Sequence, residues 1–99
     1  METNIYKMQK IVIEDLKNKF LKASETEKQR NQIKELCNDI AREHRLDHLK
    51  IKTVNERVIR NQQIAVIIEI KQKMNMAAKT ERQKRKINDI CNQAIEKYT

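Results

Sequence analysis

Residues 35–58, ELCNDIAREHRLDHLKIKTVNERV, decide the fold. Leu36, Cys37, Ile40 and Ala41 recur at spacings of three and four, the signature of one buried helical face. That helix is predicted to close near Arg45. Leu49 and Ile51 then alternate with polar neighbours between Asp47 and Lys52. This pattern predicts an extended connector that tucks two side chains inward. Thr53 followed by Glu56 forms a capping box, in which each side chain satisfies an orphan amide of the other, and starts the next helix. The stretch is therefore a helix, a joint and a helix, and the flanks must lean on this joint or on a partner.

Working outward, helices are expected at about 3–23, 26–45, 53–78 and 80–98, in one domain spanning 1–99. The first carries Ile5, Met8, Val12, Leu16 and Phe20 on one face, with lysines opposite. Ser24, with Glu27 three residues on, is the expected cap of the second. Thr80 with Gln83 caps the fourth, whose stripe is Ile87, Ile90, Cys91, Ala94 and Ile95. The run IAVIIEI at 64–70 suits a buried strand as well as a helix, because β-branched residues favour strands. With no second strand to pair it, helix is preferred. Its apolar residues occupy more than one face, which implies burial on two sides or a partner on one.

Composition agrees with an all-α protein. The 99 residues include no Gly, Pro or Trp, so primed hairpin turns and Gly-rich phosphate loops are excluded. Aromatics are only 3% of the chain, so any core must come from Ile, Val, Leu and Met. With narrow stripes and a small chain, the expected architecture is an articulated, non-globular clamp of four amphipathic helices around a partner helix. The N-terminus has no continuous apolar run, so neither a signal peptide nor a membrane span is expected.

The chain also resembles itself. TEKQRNQIKELCN at 26–38 aligns with TERQKRKINDICN at 80–92, at an offset of 54. Duplication of a helical hairpin accounts for this. So does the likeness of any two capped amphipathic helices drawn from a narrow alphabet.

The net charge of +8 is uneven. Residues 1–50 hold 11 basic and 9 acidic side chains, whereas residues 51–99 hold 11 and 5. Lys79, Arg82, Lys84, Arg85 and Lys86 make the densest patch, suited to phosphates or an acidic protein surface, or simply a solvated face. No aromatics are interleaved to stack bases. His44 and His48, four apart, with Cys37 upstream, are the only metal-like grouping, and ordinary surface and packing roles suit them better. Cys37 and Cys91 read as small core residues rather than a disulfide. No nucleophile, base and orienting acid converge, so no enzyme, cofactor or small-molecule substrate is expected.

The central stretch resembles the enhancer-of-yellow-two/Sus-one family of small nuclear proteins. The residues that carry the resemblance are Ile33, Lys34, Cys37, Ala41 and Glu43, then Leu46, His48, Leu49, Ile51, Val54 and Val58. Leu16, Lys19 and Phe20 upstream resemble the family's preceding helix, and Ile87 and Ile90 its last. The chain departs from the family in lacking Gly at the turns. The resemblance implies a string of helices wrapped around a long scaffold helix, in the SAGA deubiquitinase module and the TREX-two mRNA-export complex, without catalytic activity. It implies a partner surface of Leu16, Phe20, Ile33, Cys37, Ile40, Leu49, Ile51, Val54 and Val58, and a nuclear location. The alternative expectation is a basic helical protein of unrelated, for instance viral, origin that binds protein or nucleic acid as a homodimer.

Overall fold

A computed structural model describes residues 5–47 and 54–99, with side chains described at 5–45 and 54–99. Four helices account for nearly all of them: α1 at Ile5–Ala23, α2 at Glu27–Asp47, α3 at Glu56–Ala77 and α4 at Glu81–Tyr98. The run at 64–70 lies inside α3 and is helical. Among the described residues there is no strand.

Two of the three expected caps are replaced. Thr26, not Ser24, caps α2. The Gln29 amide donates to Thr26 Oγ1 at 3.1 Å, and Gln29 Oε1 accepts from the Thr26 and Glu25 amides at 3.3 and 2.8 Å. Ser24 is used by the helix before it: its hydroxyl donates to the Leu21 carbonyl at 2.6 Å and closes α1. Asn55 caps α3, its Oδ1 accepting from the Val58 amide at 2.9 Å, and the helix starts at Glu56. Thr53, the expected cap, lies outside the described residues. So do Leu49 and Ile51 of the expected connector. Thr80 and Gln83 form the expected box at α4, with the Gln83 amide 3.2 Å from Thr80 Oγ1.

The offset of 54 runs through the whole structure. α1 ends at Ala23 and α3 at Ala77; α2 begins at Glu27 and α4 at Glu81. Gln83 Oε1 repeats the contacts of Gln29, accepting from the Lys79 and Thr80 amides at 2.7 and 3.3 Å. The buried positions correspond as well: Gln9 with Gln63, Val12 with Val66, Ile13 with Ile67, Leu16 with Ile70, Ile33 with Ile87, Cys37 with Cys91 and Ile40 with Ala94. The chain is one helical hairpin built twice.

The hairpins pack about a pseudo-dyad. α1 and α3 lie side by side at the centre, α2 packs on α1, α4 packs on α3, and the crossed pairs α1/α4 and α2/α3 make smaller contacts. α1 and α3 run parallel. Their N-terminal halves meet where Gln63 Nε2 donates to the Met8 carbonyl, and their last turns line one cavity. All four helices share a single core.

The bundle is compact, with a radius of gyration of 13.7 Å, close to the ~13 Å expected of a 100-residue domain. This corrects the expectation of a non-globular string. The apolar stripes are covered by each other, so the four helices close on themselves.

The two Thr-x-x-Gln boxes should contribute alike. Thr26→Ala and Thr80→Ala are each expected to destabilise the protein by about 1 kcal/mol, measured by urea denaturation, with nearly additive loss in the double variant because the caps sit on separate helices.

Candidate functional site

The positions expected to hold a partner divide sharply. Leu16, Phe20, Ile33, Cys37 and Ile40 are buried in the chain's own core. Val54 is exposed and Val58 half-buried at the start of α3. Leu49 and Ile51 lie outside the described residues. Helical spacing identifies a face that must be covered, and here the covering surface for the first five is the pseudo-dyad mate.

A part-buried polar cluster joins α1, α2 and α3 at the edge of the core. His44 Nε2 lies 2.6 Å from Glu69 Oε2, and His44 Nδ1 lies 3.2 Å from the amide nitrogen of Gln9. A carboxylate only accepts, so His44 Nε2 donates to Glu69. Lys73 reaches Glu69 at 3.4 Å and Glu43 at 3.6 Å. Burial pushes the Glu69 carboxyl up, but the hydrogen bond and field of His44, with Glu43 and Lys73, hold it below the ordinary value of 4.5. Gln9 is fully buried, and its Oε1 has no hydrogen-bond partner. The cluster has a base and an acid, but among the described residues no serine, threonine or cysteine is hydrogen-bonded to it. It ties three helices together, and His44 is thereby occupied. Among the described residues no group of His, Cys, Asp and Glu side chains is arranged to hold a metal ion. His48, the other histidine of the metal-like spacing, lies outside them.

Cys37 and Cys91 are free and buried at equivalent positions. Burial pushes both thiols up to about 11. They are protonated at neutral pH and unsuited to nucleophilic work.

The surface carries two unusual features. The first is the outward stripe of α3, made by Asn61, Ala65, Ile68, Gln72 and Met76, all exposed. Their spacing places them on one face. The equivalent stripe of α1 is Lys7, Ile11, Glu14, Asn18 and Lys22. The α3 stripe thus has no charge, while Ile68 is 42% and Met76 86% exposed. Sequence periodicity hinted at this stripe through the second apolar face of the third helix.

The second is an apolar cavity of about 120 Å³ at the end of the bundle where both hairpins turn. Phe20 faces it with its counterpart Met74, Ile33 with Ile87, and Leu36 with Ile90. Every lining residue has its mate 54 positions on, so the cavity straddles the pseudo-dyad. Gln32 stands on one rim and Lys86 at the equivalent place on the other. Lys79, Arg82 and Arg85 are exposed at this end, Lys84 is half-buried and paired with Glu81 at 3.7 Å, and Lys86 meets Glu25 at 3.7 Å. The basic patch and the apolar positions Phe20 and Ile33, far apart in sequence, come together here.

Among the described residues no helix is long and apolar enough to cross a membrane. The chain matches no known protein family, no curated protein and no solved structure. Its own residues therefore carry the functional reading. Two tests follow from the core groups. Because the folded Glu69 carboxyl is held below its unfolded value, its contribution is present above that value and is lost as pH falls through the folded one. Glu69→Gln should lower stability at pH 7 by about 1–3 kcal/mol and flatten the acid limb of the melting-temperature profile. Both thiols should react slowly with iodoacetamide in the native protein and rapidly in denaturant, with mass spectrometry reading the two sites.

Proposed function

We propose that this protein is a non-catalytic adaptor whose outer α3 stripe binds a long helix of a scaffold protein. One observation carries the reading: Asn61, Ala65, Ile68, Gln72 and Met76 form an exposed face without charge, where the repeat-equivalent face of α1 holds Lys7, Glu14 and Lys22. A stripe at this spacing suits a partner helix laid along it, with Ile68 and Met76 as anchors. The polar cluster around His44 ties α1, α2 and α3 together and so holds the helix that carries the stripe.

On the resemblance of the central stretch, the scaffold belongs to transcription-coupled mRNA export or to the histone-deubiquitinase complex, and the protein works in the nucleus. In this reading the scaffold helix lies against a closed bundle. A wrapped, clamp-like form would require the two hairpins to separate and expose their shared core.

The test separates binding from folding. Ile40 is the wrong place for it, since a charge at that fully buried position breaks the bundle first. Ile68→Asp with Met76→Lys should leave the urea midpoint nearly unchanged and abolish recovery of the scaffold when tagged protein is purified from its native cells. Recovery of the same partner by wild type and variant sinks the reading. A homodimer in light scattering that needs Ile68, with no scaffold recovered, favours the alternative of a self-associating helical protein.

A further inference from the structure

The cavity on the pseudo-dyad and the charge around it point to a second interaction, independent of the α3 stripe. Segments 22–34 and 76–88 form the turns and first helical turns at this end, and together hold 9 basic and 3 acidic residues. Each acid is already matched: Glu25 by Lys86, Glu27 by Arg30 and Glu81 by Lys84. Lys22, Lys28, Lys79, Arg82 and Arg85 have no carboxylate within ion-pair distance among the described residues. Most of the chain's net charge of +8 is therefore concentrated at one end. The same end holds an apolar recess between the two hairpins.

We infer that this end is a docking site for an acidic peptide segment that inserts one bulky apolar side chain into the cavity. Size limits the occupant. At about 120 Å³, the recess is slightly smaller than the ~150 Å³ apolar cavity that accepts benzene. It takes one branched aliphatic group or one ring, and no long acyl chain. Charge selects the rest of the ligand. Lys86 lines the recess and the unpaired Lys22, Lys28, Lys79, Arg82 and Arg85 belong to the same end of the bundle, so Asp or Glu flanking the inserted side chain is favoured there. Nucleic acid satisfies the cations and leaves the recess unfilled. The two hairpins contribute differently: where the first has Glu25 and Gln32, the second has Lys79 and Lys86, and where the first has Lys22 and Lys34, the second has Met76 and Asn88. A single anchor of this kind in a desolvated pocket, ringed by charge that steers approach, is a common arrangement at peptide-binding surfaces.

The experiment is selection from a fully randomised peptide-display library against the intact protein. Enriched peptides are expected to be rich in Asp and Glu and to share one bulky apolar residue. Replacing that residue by Ala should weaken binding about tenfold or more. Affinity should fall as salt is raised. Ala77→Leu, at an exposed position lining the cavity mouth, should weaken binding comparably while leaving the urea midpoint in place; Ala23→Leu does the same from the first hairpin. Ile68→Asp with Met76→Lys should leave this binding intact, so failure here is distinct from failure of the α3 reading. No enrichment, enrichment of neutral or basic peptides, or wild-type affinity retained by both leucine variants overturns the inference. Binding of duplex DNA or single-stranded RNA that the leucine variants leave unchanged, with no peptide selected, overturns it too.

Discussion

The parallel contact between α1 and α3 is the constraint on which everything else rests. Each hairpin is amphipathic and one-faced, and neither can bury Val12, Ile13 and Leu16, or Val66, Ile67 and Ile70, by itself. Brought together, each stripe becomes the other's interior. Full burial of such side chains is worth about 1.5–3 kcal/mol apiece, which is why a chain with almost no aromatics closes into a bundle. Two buried glutamines mark the register of this seam. Gln63 reaches the Met8 carbonyl across it, and Gln9 Nε2 donates across it to Gln62 Oε1. A sliding seam would break both hydrogen bonds, at a cost that apolar packing does not impose.

Repetition supplies the scaffold, and departure from repetition supplies the candidate functions. Equivalent core positions stay apolar because both sides of the dyad need the same volume. Surface positions are free to differ, and they do. The outer stripe carries charge in α1 and none in α3. At the turn end, Glu25 and Gln32 of the first hairpin correspond to Lys79 and Lys86 of the second. Inside, His44 of α2 corresponds to Tyr98 of α4, so only one half builds the His44–Glu69 tie. The other half leaves Asp15 to Lys19 and Lys97, at 3.5 and 3.6 Å.

Much of the architecture was readable from residues alone. Helical spacing placed all four elements within a few residues, because each carries a long and regular apolar stripe. The Thr80–Gln83 box was readable for the same reason that it forms. The cap of α2 was not, since Ser24 and Thr26 are both good caps and the choice depends on which helix needs the hydroxyl. Gln9 and Gln63 were missed because a buried amide breaks the apolar pattern it belongs to; the offset of 54, carried upstream, pairs them. That Leu16, Phe20, Ile33, Cys37 and Ile40 pack into the chain's own core was not readable from their spacing. A stripe states that something covers it and is silent about whether that cover belongs to the same chain.

That silence bears on how such a protein recognises others. A clamp must present its apolar face to the partner, so every residue that binds is also one that the free protein exposes or hides in another way. This bundle hides them in itself. Opening it would expose Val12, Ile13, Leu16, Val66, Ile67 and Ile70 together, at several times the cost of any one of them. A partner helix would have to restore all of that burial before gaining affinity. Docking on Ile68 and Met76, or inserting one side chain between Phe20 and Met74, asks for no such exchange. The closed bundle therefore favours recognition on its surface and at its turn end, where the two hairpins have diverged.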